Sequence, residues 1–520
     1  MIMNREHLLQ QLDDPGITWD IIVIGGGATG LGAAVEAASR GYRTLLLEQR
    51  DFAAGTSSRS TKLIHGGFRY LRQGNLGLVL KALRERHLLI RNAPHLVHDL
   101  RFVVPLYAWW ERPFYEIGLK FYDLLAGQLG LGPSQHLSPR ETLELIPTLE
   151  PAGLRGGIVY HDGQFDDARL AVSLTKTLAD LGGMPLNYLA VTGLLKTGER
   201  IAGVRAVDLE TGSEYRLHSK VVVNATGPFT DAVRRMDDSE APPIIAPSQG
   251  AHLVLDRSFL PGESAIMVPR TDDGRVLFAI PWHGRVLVGT TDTPVTDFSP
   301  EPRPLPEEID FLLTHVARYL SRKPSREDVV SVFAGLRPLV RSKTLSRTAA
   351  ISRDHRILLS NSGLVTVTGG KWTTYRRMGE DTVDRAAVVA GLEARASVTD
   401  RLKIHGWQEV EAADPWDVYG SDAGEVKALA ATHPAGDEPL HPHLPYRTCE
   451  VVWAVRQEFA RTVEDVLARR TRALFLDAAA SISMAPRVAE LMAAELGRDD
   501  GWQRQQVAEF CALAQGYMPP

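Results

Sequence analysis

Cysteine is nearly absent: Cys449 and Cys511 are the two in 520 residues. Two thiols make no disulfide framework, so a reducing cytoplasm is the simpler setting. Long apolar runs are missing as well. The longest weakly polar run, Ile21 to Ala38, is broken by glycines and Glu36. No other run reaches the roughly 18–20 residues of a membrane span. The first twenty residues lack the apolar core and cleavage site of a signal peptide. We therefore expect a chain that is soluble or attached to a membrane surface. An excess of either charge is also lacking. The 58 Lys and Arg residues against 63 Asp and Glu give a net charge of −5, which gives no reason to expect nucleic acid. Neither G-x-S-x-G nor G-x-x-x-x-G-K-[ST] occurs, so no hydrolase elbow or P-loop is indicated. His441 and His443 in LHPHLPY have no cysteine or carboxylate at ligand spacing, so a turn is expected there and no metal site.

What is present is an ordinary globular balance, 44% hydrophobic and 23% charged residues. DIIVIG reads as a buried strand, ATGLGAAVEAASRG as a helix stopped at Gly41, and TLLLEQ as a second strand. This βαβ unit begins a parallel sheet with helical cover. Farther on, FVVPLY reads as a strand and RPFYEIGLKFYDLLAGQLG as an aromatic-rich helix. A helix over 166–183 precedes short β runs to 223. AHLVLD, AIMV, RVLFAIPW and RVLVGTTD read as antiparallel strands. SGLVTVTGGKW returns to a buried strand, followed by a helix from Thr373 to Val389. The Pro- and Asp-rich zone 411–445 reads as a linker, and 449–515 as a separate helical domain.

The first strand ends in Gly25-Gly26-Gly27-Ala28-Thr29-Gly30, a G-x-G-x-x-G directly before a helix, with Glu48 closing the second strand. Gly25 allows the tight turn, Gly27 admits a pyrophosphate, and Gly30 lets helix and strand pack closely. The helix start stabilises phosphate charge, and Glu48 accepts hydrogen bonds from a ribose hydroxyl. Two later glycine elements, VVVNATGP (221–228) and Thr368-Gly369-Gly370-Lys371, make three dispersed pieces, which favours FAD over a nicotinamide dinucleotide. A helix start at the third would stabilise negative charge on a reduced flavin.

Shortly after the second strand comes SSRSTKLIHGGFRYL (57–71), with hydroxyls, cations and two glycines together. It suits cofactor phosphates, an anionic substrate, or a solvated basic surface; the last reading fits Arg59 best. Residues 107–125 cluster Tyr107, Trp109, Trp110, Phe114, Tyr115, Phe121 and Tyr122 beside Arg112 and Lys120. That composition suits the bilayer interface, though from the residues alone the packing of an aromatic core is the better reading.

IVIGGGATG, TSSRSTKLIHGGFRYL, NATGP, AGLRPL and TGGKWTTYR, with the helical C-terminal region, together resemble FAD-dependent glycerol-3-phosphate dehydrogenases over about residues 18–515. The resemblance implies an α/β FAD-binding, Rossmann-like fold of the glutathione-reductase and D-amino-acid-oxidase type. An antiparallel-sheet substrate domain and an α-helical C-terminal domain complete it. The expected bounds are 18–100, 150–240 and 350–395 for the FAD domain. The substrate or cap domain takes 100–150 and 240–350, and the helical domain 400–520.

The implied reaction oxidises sn-glycerol 3-phosphate at C2 to dihydroxyacetone phosphate. Hydride goes to flavin N5 and electrons go on to quinone. Oxygen as acceptor, or another small hydroxy or amino acid as substrate, is the alternative. FAD contacts are expected from Gly25, Gly27, Ala28, Thr29, Gly30, Glu48, Thr56, Ser57, Ser58, Lys62, Leu63, His65, Gly66, Gly67, Ala225, Gly227, Gly370, Lys371, Trp372 and Thr373. The glycines at 66 and 67 would let backbone pass close to the flavin ring. A phosphate dianion needs forked or point cations, and Arg69, Arg337, Arg353 and Lys371 are the candidates. His65 is favoured over His252 as base for the C2 proton, with Arg337 lowering the hydroxyl pKa. Tyr70, His252, Thr374 and Tyr375 are expected to position substrate. A homodimer, contact with the quinone pool and a peripheral place on the inner face of the cell membrane complete the expectation.

Overall fold

The computed structural model describes residues 5–14, 16–67, 75–269, 271–296, 298–341, 354–409 and 416–519. Arg69, Tyr70 and Arg353 lie outside them, as do residues 411–415 of the expected linker.

Two sheets organise the chain. The first has the order Arg356–Leu359, Val365–Thr368, Glu214–Asn224, Thr18–Ile24, Thr44–Leu47, Met184–Leu186. Thr18–Ile24 runs parallel to both neighbours, with Ile21 opposite Val221 and Thr44. Its side chains divide by parity. Ile21 and Val23 join a core under the helices Ala28–Ser39, Asp167–Asp180 and Tyr375–Ala390, whereas Ile22 and Ile24 join the opposite core. Burial on both faces explains why the strand reads as an unbroken apolar run. Helices Ala28–Ser39 and Tyr375–Ala390 cross glycine on glycine: a Cβ at Gly379 would run into the Gly32 carbonyl.

The second sheet has ten strands. Its centre is Ser248–Asp256, Arg285–Gly289, Leu277–Trp282 and Ala265–Val268, antiparallel as expected. Val97–Leu106 then joins Ala265–Val268 in parallel and Gly156–Phe165 in antiparallel pairing. Leu63–Ile64 pairs with Gly156–Phe165, and Val329–Arg337 with Ser248–Asp256. Two expected bounds therefore move: 156–165 and 63–64 belong to this sheet, although both fall inside the expected FAD domain. Their pairing partners lie far away in the chain, so local sequence does not show their place.

Two further expectations change. The described part of the linker zone is ordered: a turn at Asp417–Asp422, the helix Ala423–Thr432, and a hairpin of Pro439–His441 with Leu444–Arg447. His441 and His443 sit in that hairpin, where His441 Nδ1 accepts the His443 amide at 3.2 Å. The C-terminal region is helical from Thr448 on, as read, but most of its core is shared. Val466, Leu474, Met484 and Val488 pack in one cluster with Phe102, Tyr160, Val254 and Ile280 of the second sheet. Burial across the junction makes it a third layer on that sheet.

Candidate functional site

A cavity of about 620 Å³ runs between the two sheets. One end is built from backbone. Gly25 has φ 109°, and a Cβ there would stand 2.7 Å from the Ala225 carbonyl oxygen. A Cβ at Gly30 would overlap the Gly25 carbonyl, so Gly30 acts by packing and stays off the cavity wall. Gly27, Ala28 and Thr29 line the cavity at the start of helix Ala28–Ser39. No side chain accepts at Gly27, so the helix start offers amide donors to an anion. Ser57 Oγ accepts the Ala28 amide at 2.9 Å. Glu48 Oε2 accepts the Gly26 amide at 2.7 Å and Oε1 the Arg50 amide at 2.8 Å. Burial raises the Glu48 pKa, with Asp51 adding repulsion. Each of its oxygens keeps a lone pair for a ligand hydroxyl. Thr56, Ala225 and Gly227 complete this end. Among the described residues nothing stands within 4 Å of where a Cβ at Gly55 or Gly227 would lie, so the cradle has room for a bulky ligand. Glycine-lined backbone, a helix start and a carboxylate fit the diphosphate and ribose of FAD.

The other end is built from side chains. Gly370 (φ 76°), Lys371, Trp372 and Thr373 enter from the first sheet, and Leu63 and His65 from the basic loop. Trp372 Nε1 donates to the Ser57 carbonyl at 2.9 Å, tying the third glycine element to that loop. Lys371 Nζ lies 3.1 Å from His65 Nε2. Arg337, the last residue of Val329–Arg337, faces in from the second sheet. Its guanidinium donates to the carbonyls of Gln249 (3.3 Å) and Thr291 (2.9 Å) and the Thr290 hydroxyl (3.2 Å), with Asp292 at 3.3 Å. His252 lines the same wall, its ring 4.7 Å from Phe333 and nearly parallel to it. His252 Nε2 is 2.9 Å from Thr61 Oγ1. Its Nδ1 has no hydrogen-bond partner among the described residues. Burial, then Lys62 and Arg337, push its pKa well below the ordinary imidazole value, so the ring is neutral.

Several expected contacts go elsewhere. Lys62 does not line the cavity: its ammonium is fully buried, 2.7 Å from Asp167 Oδ2 and 2.7 Å from the Ser58 carbonyl. Burial lowers its pKa to about 7. Ser58 is buried off the wall, its hydroxyl 3.4 Å from the Gly55 carbonyl. Gly66 is small for another reason than flavin approach, since a Cβ there would run into the Tyr122 hydroxyl. Gly67, at φ 86°, is also off the wall. Thr374 donates to the Lys371 carbonyl at 3.3 Å, and Tyr375 is buried against Gly32. Helix geometry turns both away from the cavity. Arg59 is 4% exposed and paired with Glu301 at 2.6 Å, which overturns the solvated-loop reading for it.

Sequence reasoning missed Thr61, Asp162, Thr290 and Arg50, all on the cavity wall. Asp162 Oδ1 accepts the Gly66 amide at 2.9 Å and Arg86 at 2.8 Å. Thr61 lies inside the basic loop but was passed over there, and no local motif marks Arg50, Asp162 or Thr290, which the fold brings to the wall.

Comparison with known proteins agrees with this geometry. A family model described as FAD dependent oxidoreductase matches residues 20–376, and the C-terminal domain of alpha-glycerophosphate oxidase matches 365–505. The chain is 43% identical to the mitochondrial glycerol-3-phosphate dehydrogenase of Mus musculus, over 99% of this chain and 75% of that protein. For the Arabidopsis thaliana mitochondrial protein the identity is 42%, over 94% and 84%. The glycerol-3-phosphate dehydrogenase of Bacillus halodurans complexed with FAD superposes with a TM-score of 0.81 at 29% identity, over 99% and 98%. L-alpha-glycerophosphate oxidase from Mycoplasma pneumoniae shares the fold, at a TM-score of 0.57 and 19% identity over 74% and 98%. A glycine-built dinucleotide cradle facing a cluster of cations, on a fold shared along its whole length with these proteins, places the chain in the FAD-dependent oxidoreductase family, in its glycerol-3-phosphate dehydrogenase branch.

Proposed function

We propose that the protein oxidises sn-glycerol 3-phosphate at C2 to dihydroxyacetone phosphate and passes the electrons to a membrane quinone. One observation carries this reading: Arg337, Lys371, His65 and His252 line the same cavity as the dinucleotide cradle. Bound FAD supplies the hydride acceptor. Arg337 brings a fixed positive charge to the phosphate, its guanidinium held in place by Gln249, Thr290, Thr291 and Asp292. Lys371 adds a point charge. His65 takes the proton of the C2 hydroxyl at Nε2, the nitrogen 3.1 Å from Lys371 Nζ, so the substrate hydroxyl takes the place of Lys371 there. His252 makes a poor base because burial opposes its protonation, so it positions a substrate hydroxyl as a neutral partner. The enclosed walls exclude water from the departing hydride.

The membrane part of the proposal rests on helix Glu111–Ala126. Tyr115, Leu119, Tyr122 and Ala126 are buried, which is the core-packing reading of the aromatic cluster. Trp110, Phe114 and Phe121 are exposed, with Trp109 at 76%, Ile117 at 71% and Leu124 at 75%. The neighbouring helix Leu76–Asn92 adds exposed Leu76 and Leu80. Among the described residues no helix is long and apolar enough to cross a membrane. Such a face suits shallow seating at the bilayer surface. Tyr115 lies on this helix and also on the cavity wall, so a lipid-dissolved acceptor would dock close to the site.

Mixing the holoprotein with glycerol 3-phosphate under anaerobic conditions tests the chemistry. Bleaching of the flavin band by glycerol 3-phosphate, and its return on adding a short-chain quinone, is expected. Bleaching by a hydroxy or amino acid alone would overturn the substrate, and recovery with oxygen but not quinone would overturn the acceptor. Liposome flotation tests the surface: Trp109→Asp with Ile117→Asp is expected to abolish binding, and equal flotation of the variant would refute it.

A further inference from the structure

The loop from Gln49 to Lys62 forms a long wall of the cavity. Its backbone is not at ease. Ala53 (φ 60°) and Lys62 (φ 62°) occupy the left-handed region without being glycine. Such conformations persist only where surrounding structure imposes them. Much of that structure comes from more than 400 residues farther along the chain. Asp51, wholly buried, takes Arg469 Nε at 2.5 Å and both terminal nitrogens of Arg470, one of them at 3.0 Å. Arg472, itself at φ 67°, donates to the Ser58 carbonyl at 2.8 Å and to Asp167 at 3.0 Å. Asp167 in turn holds Lys62 Nζ and the Ser60 hydroxyl, each at 2.7 Å. The Tyr517 hydroxyl accepts Arg59 at 3.2 Å, and Glu464 pairs with Arg50 at 3.2 Å. The three arginines are at most 3% exposed.

We propose that Arg469, Arg470 and Arg472 are positioning residues for FAD: the C-terminal helical region imposes the shape of the cofactor loop, and FAD binds tightly only when that region is docked. The connection is short. A buried carboxylate that loses a partner is strongly destabilised. Asp51 regains solvation only if its loop swings outward. That movement would draw Ser57 off the Ala28 amide, where loop and dinucleotide helix are joined. None of the three arginines lines the cavity, so their effect passes through the loop.

The test is FAD titration of the full-length apoprotein, with amide exchange across 51–62. Arg470→Met and Arg472→Met are expected to weaken FAD binding about tenfold or more and to speed exchange in the loop, while helix Ala478–Leu496 keeps its protection. Lys176→Met is the control. It breaks a largely buried pair with Asp422, farther along helix Asp167–Asp180 and with no bond to the loop. It is expected to lower thermal stability and leave FAD affinity within about twofold. Unchanged affinity in the first two variants, or an equal loss in Lys176→Met, overturns the proposal. Should Arg470→Met not fold, Arg470→Lys keeps the charge and loses the fork. About threefold weaker binding is then expected, and unchanged affinity overturns the proposal equally.

Discussion

The two ends of the cavity are built in opposite ways. The dinucleotide end is mostly backbone from one stretch of chain, Gly25 to Ser57, closed by Ala225 to Gly227. The substrate end is side chains from four distant strands and loops: His65, His252, Arg337 and Lys371. Shape holds a cofactor through glycines that admit no alternative. Charge holds an anion through side chains whose supports can be removed singly. Changes at the first end should therefore act on binding of FAD and on folding, and changes at the second on turnover with FAD in place.

The largest expected effect is at Gly30. Gly30→Val forces a branched side chain into the Gly25 carbonyl, so purified protein should carry no flavin absorbance. A yellow, fully loaded variant would end the comparison. Next is Arg337→Ala, expected to lower kcat/KM about a hundredfold or more while flavin content per chain is unchanged. Loss of flavin there would show that the two ends are one unit.

His252 gives a smaller effect, read in pH. Its folded-state pKa lies below the ordinary value of about 6.5. Its contribution to stability is thus complete above pH 6.5 and is lost as the pH falls toward the folded value, because the unfolded chain takes up the proton. The slope is up to about 1.4 kcal/mol per pH unit. Denaturant melts of wild type and His252→Gln should therefore converge between pH 6.5 and 5. Parallel curves would show the ring to be protonated in the folded protein. Smallest are Thr374→Val and Tyr375→Phe, expected to leave kcat/KM within about twofold because both side chains face away from the cavity. A tenfold loss in either would return them to the substrate site.

The contrast also explains what could be read in advance. Gly25, Gly27, Gly30 and Glu48 were legible because a helix start, a tight turn and a close crossing are local demands with few residue solutions. Arg337 and Lys371 were legible because each follows a glycine element in an apolar setting. Lys62 and Arg59 misled: cations in a polar loop look solvated or phosphate-bound, yet Asp167 and Glu301 claim them. Those partners stand more than a hundred residues away, and no local pattern encodes them.

By itself, then, the sequence determined the dinucleotide cradle, the parallel strands around it and the helical character of the C-terminal region, since propensity, periodicity and turn chemistry act over a few residues. The tertiary structure alone decided that Gly156–Phe165 crosses to the second sheet, that Thr61, Asp162 and Thr290 join the site, and that buried arginines after Asp465 reach back to Asp51 and Asp167. These depend on strand register and on the pairing of charges taken out of water, and both are set only when the whole chain has closed.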